Sequence, residues 1–285
     1  MQLLIDKPKN ITDKIVKPDF STKTGREFLA FYLQTKFKQI LLYDKKTENP
    51  IFQEVNPNFI SKFSRRLIEN PNKKILIGVT GESASGKTTI CKVLKKTSLE
   101  LEFPLEYLSI DNYFNDISEL IKKYGTFDSL RDNGYDVDSP ESFQLELLKE
   151  HLTKLSIGEN VRAPQYLING TGISVKEAIP INSEKIIVVE GMAAMYGDIK
   201  DLFDVKVYVD INPKIQKKWF MERAAKRNQD SDNALKHWEY VRIAADKYIR
   251  PSKSEADIVI NGSASLDYFS QIIQYIHTST NCFES

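Results

Sequence analysis

The chain has 285 residues, enough for one large domain or one domain with a small appendage. Hydrophobic residues are 41% and charged residues 28%, proportions that exclude a disordered or fibrous chain. With 40 Lys and Arg against 39 Asp and Glu, the net charge of +1 gives no global field to attract nucleic acid or an anionic membrane. Phosphate binding, if any, must come from local placement of cations.

No apolar run approaches the ~18 residues of a membrane span. The start, Met1-Gln2-Leu3-Leu4-Ile5, soon turns charged, unlike a signal peptide. Cys91 and Cys282 form no C-x-x-C pair, and a reducing, cytoplasmic setting is expected.

In chain order, residues 1–20 carry Pro8, Pro18 and scattered charges and read as a loosely held arm. Apolar spacing predicts helices from Thr22 to Leu42 and from about Asn58 to Glu69. Together they make residues 1–72 a mostly helical N-terminal extension without a chemical motif, suited to packing or oligomer contacts. From residue 73 onward strand and helix patterns alternate. Strands are expected at 74–80, 106–110, 185–190, 205–210 and 257–260, and helices at 87–100, 141–156, 213–228, 232–249 and 265–278. This alternation predicts an α/β fold with a mainly parallel sheet. Two polar, turn-rich insertions, near 112–140 and 158–184, are where a substrate pocket would be built.

The motif that carries chemistry is Gly81-Glu82-Ser83-Ala84-Ser85-Gly86-Lys87-Thr88, which fits G-x-x-x-x-G-K-[ST] between an apolar strand and the helix opened by Thr89. Its glycines let the backbone turn its N–H groups onto phosphate oxygens, and the positive end of the helix supports that charge. Lys87 is suited to the β- and γ-phosphates and the Thr88 hydroxyl to Mg²⁺. A glycine-rich turn without nucleotide is the competing reading, and the flanking strand and helix argue against it.

Two carboxylates stand at comparable strand ends. Asp111 follows the strand 106–110, and Glu190 ends Ile186-Ile187-Val188-Val189. In an open parallel sheet, ligands sit beyond the carboxyl ends of strands. There Asp111 could take the proton of an attacking hydroxyl or hold a metal, and Glu190 could hold Mg²⁺. An Asp capping a strand-end turn is the plainer alternative. The lid candidates Arg223 and Arg227 are four apart, so on a helix they share a face; a solvated basic face is the competing reading. His151, His237 and His277 lack partners at metal-ligand spacing.

The order Gly81 to Thr89, then Ser109-Ile110-Asp111-Asn112-Tyr113-Phe114, Pro164-Gln165-Tyr166, Glu190-Gly191 and Ala256-Asp257-Ile258-Val259-Ile260 resembles the phosphoribulokinase/uridine kinase family over about residues 73–262. The likeness is greatest to uridine kinases, with some to bacterial pantothenate kinases. It implies a P-loop NTPase three-layer sandwich that transfers phosphate from ATP, with Mg²⁺, to a hydroxyl of a small molecule. Asp111 would be the general base, and Lys87 would hold the phosphates. Thr88, Glu190 and Asp111 would organise the metal. Asp138 would grip ribose hydroxyls, with Tyr113, Phe114 and Tyr166 near the nucleoside. The lid would lie near 217–232, with Arg223 and Arg227 closing on the phosphates, and dimers or tetramers are common in such kinases.

The departures bear on the acceptor. Where uridine kinases place a base-reading His, this chain has Ile168-Asn169-Gly170-Thr171, and Val137 replaces the Phe before the ribose Asp. The lid segment, with Trp219 followed four residues later by Arg223, is closer to pantothenate kinases. A nucleoside is therefore the leading acceptor, with pantothenate or another sugar-like alcohol as the competitor. A nucleotide-dependent switch is the alternative from another class. No Asn-Lys-x-Asp run for guanine is present, and ATP-versus-GTP preference stays open.

Overall fold

A computed structural model describes residues 19–103 and 105–281. The expected arm falls almost wholly outside this range, as does Cys282. The elements in chain order are α1 (Lys23–Asp44), β1 (Phe52–Val55), α2 (Phe59–Glu69), β2 (Ile75–Thr80), α3 (Lys87–Glu100), β3 (Leu105–Ser109), α4 (Ser118–Tyr124), α5 (Phe127–Asp132) and α6 (Leu145–Ser156). They continue with β4 (Val161–Tyr166), β5 (Ser174–Ile181), β6 (Ile186–Glu190), β7 (Val205–Asp210), α7 (Pro213–Lys226), α8 (Ser231–Ala244), β8 (Ile258–Asn261) and α9 (Leu266–Asn281).

Six strands form one sheet in the order β1-β8-β7-β2-β6-β3. Five are parallel and β1 runs antiparallel at the edge. Both faces of this sheet are covered, which is why its strands read as near-continuous apolar runs. Along β6, Ile187 and Val189 enter one core with Leu148, Leu152 and Leu155 of α6, while Val188 enters the other with Ile90 of α3 and Ile272 of α9. The period of two along the strand thus divides its side chains between two helical layers.

The second core also holds Ile40 of α1, Ile51 and Phe59 of α2. The segment expected as a helical extension is therefore built into the same core as the phosphate-loop strand, and it supplies an unexpected strand. Asp44, fully buried at the end of α1, accepts from the backbone N–H of Ile51 (2.9 Å) and Phe52 (2.8 Å), which starts β1. Arg66 of α2 grips Asp204 with two hydrogen bonds (2.7 and 3.1 Å), and Asp204 in turn accepts from Leu76 N at 3.0 Å.

Three other expectations change. The helix expected at 141–156 begins at Leu145, because Pro140–Ser142 forms a 3-10 turn and Phe143 is extended. The 158–184 insertion is an antiparallel hairpin of β4 and β5, and the 112–140 insertion folds into α4 and α5.

Candidate active site

β2 lies between β6 and β7; the connection from β2 runs to β3 on one side of it, and β7 and β8 are added on the other, so the sheet order reverses here, the place where a crevice opens at the strand ends. Cα register sets Glu190 of β6 beside Val79 of β2 and Ser109 of β3. Three neighbouring tips thus deliver the phosphate loop, Glu190 and Asp111 to one edge.

The loop geometry explains its glycines. Gly81 has φ +145° and a Cβ there would lie 2.4 Å from Val209 O; Gly86 has φ +96° and a Cβ would lie 2.6 Å from Gly262 O. No side chain caps α3 at Gly86, so its first N–H groups remain for an anion. Lys87 Nζ donates to Glu82 O at 3.0 Å, holding the ammonium over the loop. Ser85 Oγ is buried without a hydrogen-bond partner among the described residues.

Thr88 Oγ1 donates to Glu190 Oε1 (3.2 Å), and Tyr107 OH donates to Glu190 Oε2 (2.8 Å). Glu190 is 4% exposed, so these donors offset its burial. Tyr107 escaped the sequence reading, because a strand tyrosine carries no signal of its partner.

Asp111 lies in the 3-10 turn Ile110–Tyr113 that follows β3, its side chain facing open solvent at the crevice. The crowded walls desolvate its carboxyl and push its pKa up to about 6; Glu190 adds repulsion, while Lys87 and Arg223 oppose the rise. Water at the crevice mouth screens part of this effect. Asp111 is thus within electrostatic reach of Glu190, Lys87, Arg223 and Asp138.

Arg223 Nη2 donates to Ser83 Oγ at 2.7 Å and its guanidinium lies 5.4 Å from the Phe220 ring centroid. Burial, then the charge of Arg227, lowers its pKa. Arg227 caps α7 and is exposed. The two arginines are close enough to repel, but only Arg223 touches the phosphate loop among the described hydrogen bonds.

Among the residues expected at the acceptor, Phe114 stacks on Phe143 (centroids 4.2 Å) and lies 5.2 Å from Tyr166. Burial raises the pKa of Asp138; Arg131 opposes this and Asp136 reinforces it. Tyr196 OH donates to Asp138 O at 2.9 Å. Tyr113 departs from its expected pocket role: it is fully buried in the α6 core with its hydroxyl on His151 Nδ1 at 2.8 Å. The 3-10 turn that presents Asp111 outward turns Tyr113 inward. His151 is accordingly structural.

Sequence reasoning also missed Arg131, Gln216, Arg242 and Arg250. Gln216 lies seven residues before Arg223, on the same face of α7, which was a legible signal. Among the described residues no helix is long and apolar enough to cross a membrane.

Comparison with known proteins agrees with this geometry. Residues 76–267 match the model of the Phosphoribulokinase / Uridine kinase family. A uridine kinase of Staphylococcus epidermidis is 32% identical over 192 residues, covering 66% of this chain and 88% of that protein. Uridine kinase-like protein 5 of Arabidopsis thaliana is 27% identical over 208 residues; the match covers 71% of this chain but only 42% of that longer protein. The fold is also that of phosphoribulokinase from Rhodobacter spheroides, with a TM-score of 0.50 at 17% identity, over 66% of this chain and 70% of that one. The chain belongs to the phosphoribulokinase/uridine kinase family.

Proposed function

We propose that this kinase transfers the γ-phosphate of ATP, with Mg²⁺, to a hydroxyl of a small polar molecule, a nucleoside before others. The observation that carries the reading is Asp111, a carboxylate at a strand tip whose charge is coupled to Glu190, Lys87 and Arg223.

The residues suit the groups this requires. Thr88 Oγ1, the Glu190 carboxylate and Asp111 are oxygen donors, the hard ligands Mg²⁺ takes alongside phosphate oxygens and water. When bound, the cation neutralises phosphate charge. Asp111 takes the acceptor hydroxyl proton on a carboxyl oxygen. Lys87 and Arg223 offset charge spreading over the transferring phosphoryl group. Glu190 is buried, and the bonds from Tyr107 and Thr88 hold its carboxylate beside the phosphate loop, where it would serve as a ligand.

Asp138 supports the nucleoside reading, since a carboxylate can accept both hydroxyls of a vicinal diol, and Phe114 with Tyr166 supply an aromatic wall. Two observations favour a different alcohol, pantothenate or a sugar-like one. Arg131 carries its positive charge toward Asp138, and no His occupies 168–171.

An ADP-release screen with Mg-ATP against uridine, cytidine, pantothenate and simple sugar alcohols tests both. Turnover that requires one acceptor and is lost in Asp111→Asn is expected. Slow hydrolysis indifferent to every acceptor and to Asp111 would sink the kinase reading in favour of a nucleotide switch.

A further inference from the structure

Glu82, the second residue of the phosphate loop, turns its side chain away from the phosphate cradle. Its carboxylate accepts from Arg242 Nη1 (2.7 Å), Arg250 Nε (2.7 Å), Arg250 Nη2 (3.3 Å) and Gln216 Nε2 (3.0 Å). The donors come from α7, α8 and the 3-10 turn Arg250–Glu255. The Glu82 side chain is 12% exposed and the two arginine side chains 26% and 32%. Charge-assisted, partly desolvated bonds of this kind are stronger than surface pairs.

Gln216 makes a second contact with the loop, Nε2 to Ser83 O at 2.9 Å. Seven residues on, two turns along the same face, Arg223 donates to Ser83 Oγ. Helix α7 therefore meets the phosphate loop at two rungs. Glu82 sets one, and the other is the arginine that faces Asp111.

We propose that Glu82 is a positioning residue: through Gln216, Arg242 and Arg250 it fixes the register of α7 on the phosphate loop, and so the place of the Arg223 guanidinium. That this place serves a phosphoryl group rests on the kinase reading above. A displacement of about 1 Å at such a group costs on the order of 100-fold in rate. Glu82→Gln keeps the shape and removes the charge, so a fall in kcat of about 10-fold or more is expected, with the acceptor KM unchanged.

A double-mutant cycle separates positioning from general stabilisation. Kinetics of Glu82→Gln, Arg223→Ala and the double variant are compared at enzyme concentrations that reveal residual turnover. If Glu82 acts through Arg223, adding Glu82→Gln to Arg223→Ala leaves kcat unchanged. An equal fall in both backgrounds would overturn the proposal. Arg250→Gln removes two of the four bonds and repeats the cycle should Glu82→Gln fail to fold.

A second readout needs no acceptor. Both tryptophans, Trp219 and Trp238, lie on α7 and α8, so emission excited selectively from indole, beyond the tyrosine absorption, reports these helices. Glu82→Gln is expected to raise acrylamide quenching about twofold, as the helix pair loosens and its indoles open to solvent. Unchanged quenching would refute the clasp. If the parent turned over no acceptor at all, the kinase reading would fall and quenching alone would decide whether Glu82 holds α7.

Discussion

At Asp111 two requirements oppose each other. A base must be ionised, and the crevice that brings it beside Glu190 disfavours its charge. Folding raises this pKa, so the contribution to stability is present below the ordinary aspartate value of 3.8 and is lost as pH rises through about 6. Asp111→Asn should therefore melt no lower than the parent at pH 7. After discounting for solvent, it should be stabilised by no more than ~1 kcal/mol. Its kcat should fall by about 10²- to 10⁴-fold. Calorimetry and ADP release on one preparation check both halves, and a variant that lost stability with activity would contradict the assignment. In the parent, kcat/KM should decline as pH falls through about 6, because Asp111 takes up its proton there. A profile flat to pH 5 would speak against Asp111 as base.

Elements position these residues, and the anchors of the elements can be tested separately. Arg66 and Asp204 join α2 to the start of β2 with side chains 13% and 6% exposed. Removing one partner leaves a buried charge, so Arg66→Ala should cost about 3–5 kcal/mol in urea unfolding. Leu152 of α6 is fully buried against the sheet, and Leu152→Ala should cost about 2–5 kcal/mol. The parallel strands and most helices were legible because they are buried on both faces or on one continuous stripe. The β4–β5 hairpin was not. Only β5 is largely exposed; β4 buries Val161, Ala163 and Pro164, but these do not alternate along its whole length, and Pro164 argues against a strand. Arg223 was a candidate from its motif, but its grip on Ser83 and the Glu82 cluster depend on contacts between residues over 130 apart in sequence.

Across the described residues, the three layers share two main cores, and α1, β1 and α2 contribute to one of them. The shared edge of the phosphate loop, Asp111 and Glu190 was legible because Glu190 ends a strand and the other two follow one closely. The role of the leading segment was not, because β1 is four residues long and finds its register only on β8. Deleting residues 1–57 should leave β8 with an open edge and the core without Ile40 and Ile51. Size-exclusion chromatography should then show aggregates. A monomer with the parent's melting temperature would make the segment a dispensable appendage.

The pairing of Phe52 with Ile260 closes a loop of about 200 residues, a contact of very high sequence separation. During synthesis β1 emerges long before the strand it pairs with, while Phe37, Phe59 and Phe63 wait beside it without most of their eventual cover. The chain entropy lost in closing that loop must be met before the pairing returns any stability, which favours late addition of the edge strand. The nucleotide crevice, built from β2, β3, β6 and β7, can assemble around its own parallel strands first. The edge strand then acts as a latch on a finished sheet, and its unpaired lifetime on the ribosome is the window in which this chain is most exposed to self-association.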